Sequence, residues 1–294
     1  YCDFVSPILD FNIILEKKLK NMTLNCNGKI INFNTQKIMG ILNISDDSFY
    51  DGGRYNSLDK AISRVSEMIN QGVDIIDVGA VSSKPGSKII KGEDELKLTS
   101  EYIIEFSKNF NDVLFSIDTY NSKVAEFALN YGFAIINDIS SGKYDSRIID
   151  VVKEYNAGYV IMHMKGDPDN MQKKPTYINV VDSIYNYLDS KIEELDSINI
   201  KNIIIDPGFG FGKTIDHNFE ILSNLEKFKE FKKPLLAGIS RKSMIYKFLN
   251  TRPDKALNGT SVLNTIALNK GADVLRVHDI IEAKECLALF NKLN

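Results

Sequence analysis

The feature that most constrains this chain is a repeat of texture. From Lys37 onward, short runs of Val, Ile and Leu alternate with longer stretches whose apolar residues recur at helical spacing. The apolar runs are KIMGILN, VDIIDVG, VLFSID, AIIND, YVIMHM, NIIID, PLLAG and DVLRVH. Runs this short and uniformly apolar read as strands covered on both faces, which is the condition of parallel sheets. Stretches such as LDKAISRVSEMINQG and NVVDSIYNYLDSKIEELDSI supply the helices between them. Eight such strands over residues 37–294 fit the ~250 residues of a (β/α)8 barrel. A doubly wound open sheet has the same βαβα texture and is the alternative.

Ahead of the repeat, LNCNGKIIN places Asn27-Gly28 between alternating apolar residues, a strong hairpin signal. This hairpin, residues 23–33, is expected at the base of the barrel, and the barrel unit is read as 23–294. Residues 1–22 carry a helix start at Ser6-Pro7 and are interrupted by charge too early for a signal peptide. They are expected to form an N-terminal helix or linker. Tyr1 in place of methionine fits a chain cut or processed ahead of this point.

Bulk properties exclude several classes. A net charge of −3 gives no basic field for nucleic acid. No apolar run is long enough to span a bilayer. Three scattered cysteines, Cys2, Cys26 and Cys286, suit a reducing compartment and no disulfide framework, so a cytoplasmic protein is expected. The loop DPGFGFGKT, residues 206–214, imitates two nucleotide motifs and fits neither. A P-loop would need glycine where Pro207 stands, and a dinucleotide fingerprint would need a spacing other than Gly208, Gly210, Gly212.

In a barrel, chemistry gathers at the C-terminal ends of the strands. Polar residues stand there on nearly every repeat: Asn43, Asp77, Ser82, Ser83, Lys84, Asp118, Asn137, Asp138, His163, Asp206, Ser240, Arg241, Lys242, Arg276 and His278. A lone Asp at a strand end is more often a helix cap than a ligand. So many in register argue for a site.

The segments IMGILNISDDSFYDGG, GVDIIDVGAVSSKPG, SIDTY, INDIS, MHMKGDPDNMQ, DPGFGFGKT, GISRKS and LRVHDI, in this order, resemble the signature segments of dihydropteroate synthases. The resemblance covers about Ile38 to Ile280 and implies a TIM barrel. It implies a transferase that joins 6-hydroxymethyl-7,8-dihydropterin diphosphate to p-aminobenzoate, yielding 7,8-dihydropteroate and pyrophosphate. Carried over position by position, Asp206, Asp118 and Asn137 match residues that hold the pterin ring, and Lys242 the lysine that orients it. A carboxylate suits neighbouring N–H donors, because charge-assisted hydrogen bonds contribute about 1.5–3 kcal/mol each. Carboxylates kept for a ligand are expected to line an open pocket, since a buried one without a partner is costly.

Phe211, Ser83 and Lys84 match the aminobenzoate side and Ser243 a further substrate-binding position, while Lys213 reads equally well as a plain solvated side chain. Arg276 and His278, two apart on the last strand, resemble the anion-site pair. Asn43 matches the residue contacting Mg2+, which takes its remaining ligands from phosphate and water. Asp47, Phe49 and Asp51 match positions in the first of two loops expected to close over the site, with Asp51 set to stabilise positive charge. The resemblance also implies a homodimer through the later helices, and small molecules, not nucleic acid or membrane, as partners.

The chain departs from the family where Lys84 replaces a common arginine, Val81 a common glutamate and Asp46 a common proline. These changes bear on the aminobenzoate side and the response to sulfonamides. Two rivals share the pterin carboxylates: a methyltetrahydrofolate–corrinoid methyltransferase, which has no use for SRKS and RVHD, and a non-catalytic pterin-binding relative.

Overall fold

The computed structural model describes residues 22–44, 54–80, 90–173 and 175–293. The expected N-terminal helix, the first loop with Asp46, Asp47, Phe49 and Asp51, and the second with Val81, Ser82, Ser83 and Lys84 lie outside them.

The repeats fold as a parallel barrel. Its strands are β3 (Lys37–Asn43), β4 (Ile75–Gly79), β5 (Phe115–Asp118), β6 (Ile135–Asp138), β7 (Gly158–Met162), β8 (Ile203–Asp206), β9 (Leu236–Ala237) and β10 (Val274–Val277). They are ordered β8-β7-β6-β5-β4-β3-β10-β9. A parallel bridge from Ile205 to Leu235 joins the two ends and closes the ring, so the open-sheet alternative fails. β9 is the shortest described strand, and Pro234, two residues ahead of it, has no N–H to give the ladder. Its carbonyl still accepts from Ile205 at 2.9 Å.

Helices α1 (Arg54–Asn70), α2 (Gly92–Asn109), α3 (Ser122–Asn130), α4 (Arg147–Glu154), α5 (Val180–Ser197), α6 (Ile215–Ser223), α7 (Ser243–Tyr246), α8 (Leu257–Asn269) and α9 (Ile280–Leu293) follow the strands. Local chemistry sets their starts. Asn179 accepts from Asp182 N at 2.9 Å to cap α5. At α6, Thr214 Oγ1 accepts from His217 N at 3.1 Å while His217 Nδ1 accepts from Thr214 N at 3.2 Å, a reciprocal cap. Among the described residues, no helix is long and apolar enough to cross a membrane.

The hairpin is β1 (Thr23–Cys26) paired with β2 (Lys29–Asn32). Asn27 and Gly28 take φ of +48° and +79°, the left-handed pair that a two-residue turn needs. Its apolar face, Leu24, Cys26, Ile31 and the following Phe33, packs against Met39, Ile75, Ile135, Val160, Ile204 and Val274. Those residues lie toward the N-terminal ends of their strands, so the hairpin closes the bottom. Asn27 Nδ2 fastens it with bonds of 2.9 and 2.8 Å to the carbonyls of Leu129 and Phe133. The larger core fills the layer between strands and helices. A small separate cluster of Tyr120, Ile139, Met162, Met171 and Phe211 stands at the opposite, C-terminal mouth.

Candidate active site

Strand register brings the polar strand ends side by side. Asn43 pairs with Gly79, Gly79 with Asp118, Asp118 with Asn137 and Met162 with Asp206. Across this rim Arg276 donates from Nε to Asp77 Oδ2 and from Nη2 to Asp118 Oδ2, each at 2.7 Å. Asn137 Nδ2 donates to the same Asp77 oxygen at 2.8 Å. One guanidinium therefore holds two carboxylates, and two of its five N–H donors are used in doing so. The carboxylates sit deeper than the open pocket expected from the sequence: Asp77 is fully buried and Asp118 and Asp206 are 9% and 6% exposed. Fixed cations, more than water, balance them.

The loop after β8 supplies the other side. Asp206 Oδ1 accepts from Gly208 N at 2.7 Å. Lys242 Nζ donates to Phe209 O and lies 4.8 Å from the centre of the Phe211 ring. A Cβ on Gly238 would stand 3.7 Å from Lys242 Nζ and 3.9 Å from Asp206 Oδ2, so that glycine leaves the space which both groups flank. Gly208 and Gly212, at φ of +74° and +65°, let this loop press onto the end of β7. A Cβ at either would fall 2.1 Å from His163 O or 2.2 Å from Lys165 O. The glycines of DPGFGFGKT thus serve close backbone packing. Lys213 is not solvated: it is 2% exposed and donates to three backbone carbonyls.

Burial pushes the Asp118 carboxyl up to about 7, the Arg276 guanidinium pulling down and Asp77 pushing up. Burial also raises Asp206, opposed first by Lys242, then by the Gly208 N–H, Lys213 and Arg276. The Lys242 ammonium falls to about 8 by burial, Asp206 opposing. At the rim, Ser240 Oγ is 2.9 Å from His278 Nδ1. The His278 ring reaches the surface, and partial burial, then Arg276, Arg241 and Lys242, shift it below the usual histidine range, with Asp279 opposing. Ser243 opens α7 beside Lys242.

Residues 39–278 match the pterin binding enzyme family. Dihydropteroate synthase of Clostridium beijerinckii is 43% identical over 248 residues, 83% of this chain and 89% of that protein. The Haemophilus influenzae dihydropteroate synthase is 38% identical over 271 residues, 92% of this chain and 98% of that one. The chain belongs to the dihydropteroate synthases. Among solved structures, Yersinia pestis dihydropteroate synthase with a sulfonamide drug superposes with a TM-score of 0.85 at 33% identity, covering 92% of this chain and 98% of that one. The Xanthomonas albilineans dihydropteroate synthase with 4-aminobenzoic acid superposes with a TM-score of 0.86 at 29% identity, covering 93% and 98%. Family membership displaces the corrinoid methyltransferase reading.

The structure brings Asn43, Asp118, Asn137, Asp206, Phe211, Lys242, Ser243, Arg276 and His278 to the C-terminal face of the barrel. Asp51, Ser83 and Lys84 lie outside the described residues. Two members of the constellation were not assigned roles from the sequence. Asp77 binds both Arg276 and Asn137, and its signal was a charge inside an otherwise apolar strand. Lys213 is the second, and its sequence context gave no sign of burial.

Proposed function

We propose that this chain condenses 6-hydroxymethyl-7,8-dihydropterin diphosphate with p-aminobenzoate, forming 7,8-dihydropteroate and releasing pyrophosphate, in folate biosynthesis. The observation that carries this reading is the single constellation Asp77–Arg276–Asp118–Asn137 facing Asp206 and Lys242 across one barrel mouth.

The pterin presents neighbouring N–H donors, and Asp206 accepts them through a carboxylate whose Oδ2 faces the mouth. Asp118 and Asn137 hold further polar atoms of the ring, and Lys242 donates to a ring acceptor. Ile139 and Met162 offer an apolar wall to the flat face, and Phe211 packs against the aminobenzoate ring. Arg276, anchored by two carboxylates, keeps Nη1 for the diphosphate, and His278 and Ser240 stand at the same rim.

An arylamine is a weak nucleophile with a free lone pair, so a general base adds little. The gain lies in leaving-group departure. The bond between the pterin methylene carbon and the diphosphate oxygen breaks, the electron pair leaves with pyrophosphate, and the ring delocalises the cation. The amine lone pair then closes the C–N bond, and the ammonium proton passes to solvent. Asp51, Ser83 and Lys84 take the roles their family positions imply: charge stabilisation for Asp51, aminobenzoate contact for the other two.

The donor set fits Mg2+ in company with phosphate. Asn43 Oδ1 and Asp118 Oδ2 face one gap over Gly79, where a Cβ would lie 3.8 and 3.7 Å from them. Mg2+ ordinarily keeps several waters and takes phosphate oxygens of the substrate, so a few protein oxygens suffice. When bound, Mg2+ supplies neutralisation of the diphosphate.

We also assign a cytoplasmic setting and a homodimer. Exposed Val262 and Ile266 on α8 and Ile281 and Leu289 on α9 support the second copy's surface.

Pyrophosphate release tests the activity: it should require pterin diphosphate, p-aminobenzoate and Mg2+ together and no corrinoid. Pterin binding without release would make the chain a non-catalytic relative.

A further inference from the structure

Lys213 is the most deeply buried cation near the site that the proposed reaction does not use. Its Nζ donates to Gly208 O at 2.8 Å, His163 O at 3.0 Å and Phe211 O at 3.0 Å. Three carbonyls need three hydrogens, and only the ammonium form has them; a neutral amine would turn its lone pair onto one carbonyl. Burial lowers its pKa well below the usual lysine range, and Asp206 opposes that shift. A charge this deep is costly where a neutral group would serve as a mere tie.

The three carbonyls mark what it ties. Gly208 is gripped on both sides, its carbonyl by Lys213 and its N–H by Asp206 Oδ1 at 2.7 Å. Phe209 O, inside the same turn, receives Lys242 Nζ. Phe211, held by its carbonyl, carries its ring 4.8 Å below that ammonium. His163 belongs to the tail of β7, against which the turn lies. Other groups hold the neighbouring residues. Asn218 Oδ1 accepts from Gly210 N at 2.7 Å, Gln172 Nε2 donates to Gly210 O, and Tyr177 OH donates to Gly212 O at 2.9 Å.

We propose that Lys213 is a positioning residue for both ligands: its ammonium clamps the Gly208–Phe211 turn to the end of β7, so that Asp206, Lys242 and Phe211 face the mouth in one fixed arrangement. The inference rests on the pterin reading of this site. It adds a role for the charge itself. Asp206 is faced by Lys242 at the start of α7, by Arg276 from β10, and by Lys213 and the Gly208 N–H on its own loop. Loss of Lys213 removes one cation from that set.

The test is calorimetric titration of 6-hydroxymethylpterin into the wild-type protein, Lys213→Met and Lys213→Gln across a pH series. Lys213→Met should bind about ten-fold or more weakly, from the loss of charge-assisted bonds, and Lys213→Gln less weakly. In Lys213→Met the acidic limb of binding should also move to higher pH, because Asp206 keeps its proton longer. A purely structural tie would not move that limb. Folded Lys213→Met with unchanged affinity and an unchanged limb overturns the inference. A wild-type protein that does not bind the probe overturns the pterin reading instead. Should neither variant fold, 15N NMR of the lysine ammonium groups in the wild-type protein decides. One buried, slowly exchanging NH3+ signal should shift when the probe binds, and a signal that stays in place overturns the link.

Discussion

Arg276 and Asp118 meet at 2.7 Å across the barrel mouth, although 158 positions separate them in the chain. The contact joins the group proposed to draw off the diphosphate to one of the groups proposed to hold the pterin. The two halves of the site are therefore mechanically one. A change at Arg276 must reach the pterin side through Asp118, and through Asn137 by way of Asp77.

Arg276→Met should accordingly cost stability as well as turnover. It leaves Asp77 and Asp118 buried without their cation, a loss of about 3–5 kcal/mol. Adding Asp77→Asn should restore part of that stability without restoring turnover. Urea unfolding with parallel pyrophosphate assays reads both; an Arg276→Met protein as stable as wild type contradicts the burial argument.

Asp118 gives a pH dependence of defined sign. Its folded value is raised to about 7 by burial. A carboxyl raised on folding favours the native state most at low pH, and that contribution declines as pH climbs from the ordinary carboxylate range to about 7. Pterin affinity should run the other way, rising through the same window as the carboxylate forms. Asp118→Asn should remove the part of that rise due to Asp118 and leave the part due to Asp206, as titrations from pH 5 to 8.5 would show.

Phe33→Ala tests the hairpin at the far end of the barrel. The side chain is 1% exposed in the bottom cluster, so its removal should cost about 3–5 kcal/mol in urea unfolding. Because the bottom face is remote from the strand ends, KM for both substrates should hold.

Most of this architecture was legible in the sequence because parallel strands buried on both faces write themselves as unbroken apolar runs. Asn27-Gly28 announced the hairpin because few other pairs accept two left-handed residues. The site was legible wherever a polar residue ended such a run. Asp77 carries no readable role in the sequence, since its partner Arg276 is 199 positions away and only barrel closure brings them together. Lys213 stays open in the sequence for a similar reason: a lysine after glycines is ordinarily solvated, and its carbonyl acceptors include one from the tail of β7, 50 positions earlier.

Chelation separates metal from pterin. With excess EDTA, pyrophosphate release should fall about tenfold or more, while binding of free 6-hydroxymethylpterin stays unchanged. A fall in both would place the metal on the ring side of the site.

The central claim is that Asp206 grips the pterin, and titration of 6-hydroxymethylpterin into Asp206→Ala tests it most directly. Two charge-assisted bonds are removed, so affinity should drop about a hundredfold or more, in a protein that still folds. Near wild-type affinity would contradict the placement of the ring and the mechanism built on it.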